Sequence, residues 1–543
     1  MKAIIKAFIT LSISLFFNST VNAQVTFQKT FGGTNVDYAY SVQQTVDEGY
    51  IIAGYTTSFG AGNRDVYLVR TDVKGTILWT KTFGESDTDY AYTVQQTTDG
   101  GFIIGAHSGS FGAGSHDVYL IKCDANGEIV WTKVYGGSSA DGAYSIQQTV
   151  DGGYIISAHV NSFGAGLHDV YLIKTDAQGD TLWTKIYGGS NEDRLRAVQQ
   201  TTDGGYILVS ETLSFGAGSA DVYLIKTDSS GNLMWTKTYG GSAADYGYSV
   251  RQTLDGGYVI AGYTSSFGAG MSDVYLIRTD SIGDISWAKT YGGNASDFGH
   301  SVQQTTDEGY IVTGYTESFG TAGDVYLLRT DSDGNLLWSQ SYGGASNDRG
   351  WSVQQTTDGG YVIAGYSESF GAGNKDVYLI KTDEFASSGC NESTAGTVVG
   401  NTATIVNSTQ TSIGSGGFVN TTTTITGAVA TVDSLLCSNF PTDIEQFPDS
   451  PDANAEEFTL FQNYPNPFNP STRISYSLSN SSFVSVTVYD ILGREIETLV
   501  DEFQKAGTYV AHFDASKLAS GIYFYKLQTG PGLLETKKML FLR

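Results

Sequence analysis

One column of residues, spaced 51 or 52 positions apart, combines aromatic rings with positive charge. Most of its members are tyrosine, and three are not. The column reads Tyr40, Tyr92, Tyr144, Arg196, Tyr248, His300 and Trp351. Two residues earlier, Arg194 and Arg349 interrupt a second, mainly aromatic column. Aromatic faces pack on sugar rings, guanidinium groups bind acidic or carbonyl groups, and both residue types are frequent anchors of protein interfaces.

These side chains predict one off-centre ligand site across copies four to seven of a repeat. Packing accounts for a recurring tyrosine but not for the Arg and Trp of the fourth and seventh copies, and Arg251 adds charge to a column that is otherwise Gln. We expect an anionic or polar saccharide, or a loop of a partner protein, to bind there. The alternative is that the aromatic side chains pack between copies. The predicted rim consists of Arg194, Arg196, Tyr248, Arg251, His300, Arg349 and Trp351.

Two further columns place an aspartate in every copy, one beginning at Asp37 and the other at Asp65. One interpretation is two rings of carboxylates that bind calcium. We favour a structural interpretation, in which each Asp caps backbone N–H groups of a Gly-rich loop. A residue needed in all copies is one that builds each copy. No cofactor is therefore expected, with calcium as the alternative.

Another column contains His107, His159 and Glu211, residue types that bind zinc. Sheets pack about 10 Å apart while zinc ligands lie about 2 Å from the ion, so equivalent positions on successive sheets are poorly placed to share one. The sequence has no Gly-x-Ser-x-Gly, His-Glu-x-x-His or Walker motif. We predict no catalytic or metal-binding residue and favour a non-enzymatic binding scaffold. The alternatives are an extracellular hydrolase or lyase acting on polysaccharide, and a structural surface component.

The residues that position these columns form a repeat of seven copies between residues 24 and 384. Each copy has four segments rich in Val, Ile, Tyr, Thr and Trp, separated by Gly-containing turns, as in Tyr-Ile-Ile-Ala-Gly-Tyr-Thr at 50–56. No helical periodicity occurs in the unit. Four short strands in about 50 residues, repeated seven times, predict an all-β, seven-bladed β-propeller. A β-solenoid is the structural alternative.

The phase of the repeat predicts how the propeller closes. Phe27 lies 52 residues before Trp79, in the column of the fourth strand, whereas the last copy has Cys390 at this position and no such strand. The array therefore has a surplus fourth strand at its N-terminal end and lacks one at its C-terminal end. We expect residues 26–31 to complete the seventh blade, which removes an exposed sheet edge.

The stretch Asp-Val-Tyr-Leu-Ile-Lys-Thr-Asp-x-x-Gly-x-x-x-Trp, as at 169–183, resembles the tryptophan-docking strands of quinoprotein-like propellers. In that family the repeat is structural and the indole packs between blades. The resemblance implies the fold and not redox chemistry, because the calcium site and vicinal disulfide of its eight-bladed enzymes are missing from this sequence.

The N-terminus has the pattern of an export signal. Lys2 and Lys6 precede an apolar stretch at 7–17 and the small-residue site Val-Asn-Ala, which predicts a signal peptide over 1–23, cleaved between Ala23 and Gln24. A membrane anchor is the alternative, but about 11 apolar residues fall short of the roughly 20 needed to span a bilayer. With 56 acidic and 30 basic residues, a formal charge of −26 argues against nucleic-acid binding.

A change of composition separates the repeats from the C-terminal region. Residues 385–457 are predicted to be a linker. Its Thr/Ser/Gly-rich part at 385–437 is expected to form a weakly structured stalk or short β-hairpins, and its acidic part at 438–457 is expected to be flexible. Cys390 and Cys437 bound its first part and are candidates for a disulfide, because the predicted location is oxidising. Cys123 is expected to be a buried thiol.

Residues 458–543 alternate strand-like segments with Gly, Asn and Asp turns, which predicts a small, Ig-like β-sandwich. The region has three distinctive motifs. They are Phe-Thr-Leu-Phe-Gln-Asn-Tyr-Pro-Asn-Pro-Phe at 458–468, Val-Tyr-Asp-Ile-Leu-Gly-Arg-Glu at 488–495 and Gly-Ile-Tyr-Phe-Tyr-Lys-Leu at 521–527. This region resembles the type A C-terminal sorting domain of type IX secretion.

That resemblance implies a protein that passes through the periplasm and the type IX translocon to the cell exterior. It also implies a sortase-like peptidase as a partner, which removes the domain, and release or attachment to surface lipopolysaccharide. No segment after residue 23 is long and apolar enough to span a membrane.

Overall fold

β-Strands make up the regular structure throughout the computed structural model, which describes residues 24–402, 405–408, 412–414, 418–421, 425–428, 432–439, 459–460, 463, 471–478, 481–490, 494–505, 507–529 and 534–541. Within these ranges there is no α-helix. The chain divides into two compact units, Met1–Thr442 and Asp443–Arg543. The predicted signal peptide at 1–23 lies outside the described residues.

Each repeat contributes four strands to one sheet, and we number the repeats as units 1 to 7. The first strands of units 1 to 7 are β2 (Asp37–Gln44), β6 (Asp89–Gln96), β10 (Asp141–Gln148), β14 (Asp193–Gln200), β18 (Asp245–Gln252), β22 (Asp297–Gln304) and β26 (Asp348–Gln355). The second strands are β3 (Tyr50–Thr56), β7 (Phe102–Ser108), β11 (Tyr154–Val160), β15 (Tyr206–Thr212), β19 (Tyr258–Thr264), β23 (Tyr310–Thr316) and β27 (Tyr361–Ser367).

The third and fourth strands continue each sheet outwards. The third strands are β4 (Asp65–Thr71), β8 (Asp117–Cys123), β12 (Asp169–Thr175), β16 (Asp221–Thr227), β20 (Asp273–Thr279), β24 (Asp324–Thr330) and β28 (Asp376–Thr382). The fourth strands of the sheets of units 1 to 7 are β5 (Ile77–Gly84), β9 (Ile129–Gly136), β13 (Thr181–Gly188), β17 (Leu233–Gly240), β21 (Ile285–Gly292), β25 (Leu336–Tyr342) and β1 (Thr26–Gly32). All pairings within these sheets are antiparallel.

The N-terminal strand β1 belongs to the sheet of unit 7, at the far end of the repeat array. It pairs with β28, with Phe27 opposite Lys381 and Phe31 opposite Val377. The fourth strand of this sheet therefore comes from the start of the chain, and the other six sheets take theirs from their own repeat.

Aromatic residues of the fourth strands pack against the next sheet. The rings of Trp79 and Phe102 are 6.0 Å apart, and Phe27 has the same relation to Tyr50 of unit 1, at 6.1 Å. The turn beneath the ring is glycine in six units: Gly75 has a φ of +70°, and a Cβ there would lie 2.7 Å from the Phe27 ring. Unit 7 has Ala386 at this position, with a φ of +69°. The second and third strands are buried almost throughout, which explains their near-continuous apolar sequence.

A fifth strand covers the outer edge of every sheet, and all seven come from the segment predicted to be a linker. We call these strands the belt. They are β29 (Glu392–Thr394), β30 (Val398–Asn401), β31 (Ile405–Ser408), β32 (Ser412–Gly414), β33 (Phe418–Thr421), β34 (Ile425–Ala428) and β35 (Val432–Asn439). They pair in order with β25, β21, β17, β13, β9, β5 and β1, so the belt visits the sheets in reverse sequence.

The belt thus differs from the expected stalk or hairpins, because its strands pair with the repeats and not with one another. An outer fourth strand has unpaired N–H and C=O groups, and a Thr- and Val-rich segment is a suitable partner for them. Cys390, just before the belt, and Cys437, in its last strand, form a disulfide with their Cα atoms 6.0 Å apart. Cys123 is a buried free thiol.

The C-terminal unit has two antiparallel sheets. Its strands are β36 (Thr459–Leu460), β37 (Ser471–Leu478), β38 (Ser482–Asp490), β39 (Glu495–Gln504), β40 (Gly507–Asp514), β41 (Gly521–Thr529) and β42 (Leu534–Phe541). One sheet has the order β36-β37-β40 and the other β39-β38-β41-β42. Ile474 and Phe513 of the first sheet share a buried cluster with Val486 and Tyr525 of the second, which is the arrangement of a sandwich.

Candidate functional site

Seven side chains, one from the first strand of each unit, form an unbroken cycle of contacts that we call the aromatic ring. They are the residues of the predicted ligand column. A bulge in each first strand, such as that at 39–41, leaves this residue out of the ladder. Centre-to-centre distances are Tyr40–Tyr92 4.6 Å, Tyr92–Tyr144 4.8 Å, Tyr144–Arg196 5.2 Å, Arg196–Tyr248 4.9 Å, Tyr248–His300 5.2 Å, His300–Trp351 3.9 Å and Trp351–Tyr40 5.3 Å.

The departure from tyrosine at Arg196 has a structural cause. Its guanidinium donates to Glu211, 3.0 Å away in the neighbouring strand, and Glu211 is 4% exposed. Units 1 and 5 have tyrosine at both corresponding positions. Unit 4 therefore exchanges a pair of tyrosines for a buried ion pair, and sequence reasoning missed Glu211 as the partner because it considered each column separately.

His300 and Trp351 also make their contacts within the aromatic ring. Their rings are stacked, and His300 Nδ1 lies 3.0 Å from the Gly350 carbonyl oxygen. Burial lowers the pKa of His300 to about 4, so the imidazole is neutral at physiological pH. Four of the predicted rim residues, Arg196, Tyr248, His300 and Trp351, are therefore brought together, and they contact one another.

The other predicted residues lie outside this ring. Arg194 bonds to Glu192 at 3.0 Å, and Arg349 lies over Tyr315 at 4.0 Å. Arg251 is three residues beyond the ring position in its strand and faces a separate cavity. The structure thus places four of the predicted rim residues together and each of the other three at a separate position, and ligand binding by these residues stays a prediction.

Positive charges and tyrosines meet at the loop end of units 6, 7 and 1, in a group that we call the cationic rim. Arg64 lies over Tyr55 at 4.8 Å, and Lys375 lies over Tyr366 at 4.3 Å. Arg349 completes the group. Lys375 is paired with Glu368 at 3.0 Å, whereas neither Arg64 nor Arg349 has a carboxylate within 4 Å among the described residues.

His107 and His159, from the column considered above for zinc, are also packed among aromatic side chains. His107 and His159 are 5.5 Å apart between ring centres, and burial lowers the pKa of His159 to about 3. Glu211, the third member of this column, forms an ion pair with Arg196. In the part of the chain that the structure describes, no three His, Cys, Asp or Glu residues are grouped to hold a metal ion.

The recurring aspartates accept hydrogen bonds from their own loops. Asp37 Oδ2 accepts from the Gly33 amide and the Ser58 hydroxyl, both at 2.7 Å, and Asp65 accepts from the Gly62 amide at 3.0 Å. Burial raises the pKa of Asp65 to about 6. These contacts account for an aspartate in every copy, and calcium binding stays the untested alternative.

Glutamine pairs join neighbouring units, a role that the sequence analysis did not assign. The second Gln of each pair accepts from a backbone amide of the preceding unit in all seven cases, at 2.8–3.0 Å. The first Gln accepts from the following unit in six cases, at 2.6–2.7 Å. The recurrence of Gln-Gln in six of the seven copies, with Arg251-Gln252 in the fifth, was the available signal.

A cavity of about 280 Å³, which we call the channel, is lined by residues from the first strands of all seven units. Gln, Ser, Thr, Val and Ile make up its wall, together with Arg251. None of the described residues that line it is Asp or Glu.

Comparison with known proteins identifies the C-terminal region. Residues 462–541 match the family described as the secretion system C-terminal sorting domain. The regulatory protein FlaEY of Caulobacter vibrioides is 28% identical over 178 residues, which is 28% of this chain and only 18% of that protein's length. A solved structure of PorZ, an essential surface component of the type IX secretion system of Porphyromonas gingivalis, shares 13% identity at a TM-score of 0.37. That alignment covers 94% of this chain and 60% of PorZ.

The sorting domain determines where the protein goes. No helix among the described residues is long and apolar enough to cross a membrane. The predicted type IX sorting domain is confirmed by the family match, and the domain directs its protein out of the cell. The chain therefore carries a type IX C-terminal sorting domain at residues 462–541 and is exported to the cell surface or the medium.

Proposed function

We propose that the seven sheets are the blades of one closed propeller and that β1 completes the seventh blade. The proposal is supported by contacts between the two ends of the array. The Gln44 amide donates to Gln354 Oε1 at 2.7 Å, and the Thr357 amide donates to Gln44 Oε1 at 2.9 Å. Units 7 and 1 are thus joined by the same bonds that join consecutive units.

In this proposal the protein is an exported, non-enzymatic scaffold that binds a glycan or a protein. The cationic rim is the observation that carries it. Arginine held over tyrosine presents a positively charged, partly apolar surface, and this one belongs to a chain of net charge −26. An acidic saccharide or an acidic loop of a partner protein suits such a surface. The site lies at units 6, 7 and 1, displaced from the predicted units 4 to 7 because Glu211 and Glu192 neutralise the charges of unit 4.

The partners in export follow from the sorting domain and belong to the same proposal. The type IX translocon would recognise residues 458–543, and a sortase-like peptidase would remove them. The released product would remain in the medium or be attached to surface lipopolysaccharide.

Substitution of Arg64 tests the binding proposal. Units 4 and 5 have Ala220 and Ser272 at this position, so Arg64→Ala is compatible with the fold. We expect the purified exported protein to bind acidic glycans or an extracellular protein in array and pull-down screens, and the variant to bind at least tenfold more weakly at an unchanged melting temperature. Binding by the variant that equals wild type would contradict the rim assignment. Lys74→Ala, in the turn that follows β4 at the opposite end of this strand from Arg64, is the control for a general loss of charge.

A further inference from the structure

The orientation of the channel glutamines is fixed by their bonds to the backbone. In six units the first Gln of the pair uses its Oε1 to accept a backbone N–H of the next unit. A backbone N–H can only donate, so the atom that it meets must be the carboxamide oxygen. The NH₂ group of each amide is then left to the channel, which all six glutamines line. They are Gln43, Gln95, Gln147, Gln199, Gln303 and Gln354.

Serine hydroxyls form a second layer of donors in the same channel. Ser41 Oγ accepts the Val94 amide at 3.2 Å, and Ser352 Oγ accepts the Val42 amide at 3.2 Å. A hydroxyl whose oxygen accepts from the backbone still has its proton to donate. The channel wall therefore presents hydrogen-bond donors in two successive layers.

Arg251 occupies the seventh position of the glutamine layer and lacks a counter-charge. Its Nη1 donates to the Val250 carbonyl at 3.1 Å, and no ion pair to it occurs within the described ranges. Burial lowers the pKa of Arg251, with no opposing contribution from a carboxylate. An arginine nevertheless stays protonated in proteins, so a positive charge faces a cavity whose described lining contains no acidic residue.

The exchange of Gln for Arg also removes a bond between units. A guanidinium has no acceptor atom, so the Gln304 amide lacks the partner that its six counterparts have on the preceding unit, as far as the described residues extend. The substitution therefore loses one inter-unit hydrogen bond and adds a desolvated charge. Neither change benefits the scaffold, which indicates that Arg251 has a different role.

We propose that the channel binds a small oxyanion at Arg251. A carboxylate, sulfate or phosphate group offers several acceptor oxygens, which match the forked donors of arginine and the converging amides. The volume of about 280 Å³ lies just below the 300–1,000 Å³ typical of small-molecule sites. The ligand is accordingly an inorganic anion or a single sugar acid, and the site is independent of the cationic rim.

Isothermal titration of the exported protein tests this proposal with three anions, sodium sulfate, sodium phosphate and sodium glucuronate, at ionic strength held constant with sodium chloride. Glucose is the neutral counterpart of glucuronate. We expect submillimolar binding of at least one anion and none of glucose. Glucuronate binding without the inorganic anions would identify a sugar acid, and the converse would identify a free inorganic ion.

Arg251→Gln is the matched variant, because six units have Gln at this position and the change restores an acceptor for Gln304. We expect a melting temperature at least as high as wild type without ligand, and anion affinity reduced at least tenfold. Arg251→Lys keeps the charge without the fork and is expected to be intermediate. Wild type that binds none of the three anions, or affinities equal in wild type and Arg251→Gln, would overturn the proposal. Arg64→Ala should leave anion binding unchanged, so failure at the rim and failure in the channel are separable.

Discussion

At the scale of single residues, the positions that break the repeat are explained by their neighbours in space. Arg196 departs from tyrosine together with Glu211, and the two form one buried pair. Comparison of the seven copies exposes such departures, and Arg196 can be predicted in this way. The comparison does not predict that the charge is neutralised internally, because the partner lies in another column 15 residues away.

Replacement of Arg196 by alanine should destabilise the protein rather than reduce ligand binding alone. The change leaves the buried Glu211 carboxylate with only the longer contact to Arg194, at 4.0 Å, and breaking a buried pair costs up to about 3–5 kcal/mol. The free energy of unfolding in urea measures the effect. The double variant Arg196→Tyr/Glu211→Tyr, which copies unit 1, should recover most of the loss. A single variant as stable as wild type would contradict the structural role of the pair.

His300 makes stability depend on pH in a defined direction. Its folded pKa of about 4 lies below the ordinary value of 6.5, so its contribution is present above pH 6.5 and is lost as the pH falls towards 4. At about 1.4 kcal/mol per unit, the loss by pH 4.5 is on the order of 2–3 kcal/mol. His300→Tyr, the residue of units 1, 2, 3 and 5, removes this term.

Unfolding of wild type and His300→Tyr at pH 7.5 and pH 4.5 checks the direction. The other buried histidines are common to both proteins, so the difference isolates His300. Wild type should lose more stability than the variant on acidification. Parallel losses would show that His300 is not buried as a neutral ring.

At the scale of elements, the four strands of each repeat could be predicted and the fifth could not. Turn glycines and runs such as Tyr-Ile-Ile-Ala-Gly-Tyr mark the first four by local sequence alone. The belt strands β29 to β34 have only three or four residues each, and every one pairs with a strand distant in sequence. Such strands are stabilised by the edges they cover, which a local pattern cannot reveal.

The belt disulfide should make a measurable contribution to stability. A loop with a sequence separation of 47 corresponds to about 4 kcal/mol in the chain-entropy treatment of cross-links. We expect Cys437→Ser to lower the free energy of unfolding by up to about 4 kcal/mol, with Cys123→Ser as a control for loss of a thiol. Reduction of the wild-type protein with dithiothreitol should reproduce the effect. If the oxidised and reduced proteins have the same free energy of unfolding, the disulfide does not stabilise the fold.

Removal of residues 24–31 should damage the far end of the repeat array. Phe27 is fully buried, β28 would lose one of its two partner strands, and β35 would lose its partner. We expect the protein without residues 24–31 to melt at a lower temperature than wild type. Its backbone amides in unit 7 should exchange faster with deuterium. Removal of the C-terminal unit from residue 458 is the control and should leave the protection of unit 7 intact. Protection lost equally in both truncations would contradict closure by β1.

At the scale of the whole molecule, we expect the chain to be cleaved near both of its ends during export. The side chain of Gln24 bonds to the backbone of Asp358 and Glu384, so the folded unit includes residues from 24 onwards. We expect mass spectrometry of surface and medium fractions to find a chain that starts at Gln24 and lacks most of residues 458–543. Deletion of 458–543 should trap the protein in the periplasm. Export that is unaffected by this deletion would contradict the sorting role.

The disulfide also determines how the protein responds to mechanical force. A force applied to the chain after Cys437 is transmitted through the disulfide to Cys390. From Cys390 it is transmitted to the strands of unit 7. The strands from β29 to β34 lie on the bypassed part of this path and bear no load. A protein that is tethered at its C-terminal side to a cell in flowing liquid would thus resist peeling of its outermost strands, until a covalent bond is broken or chemically reduced.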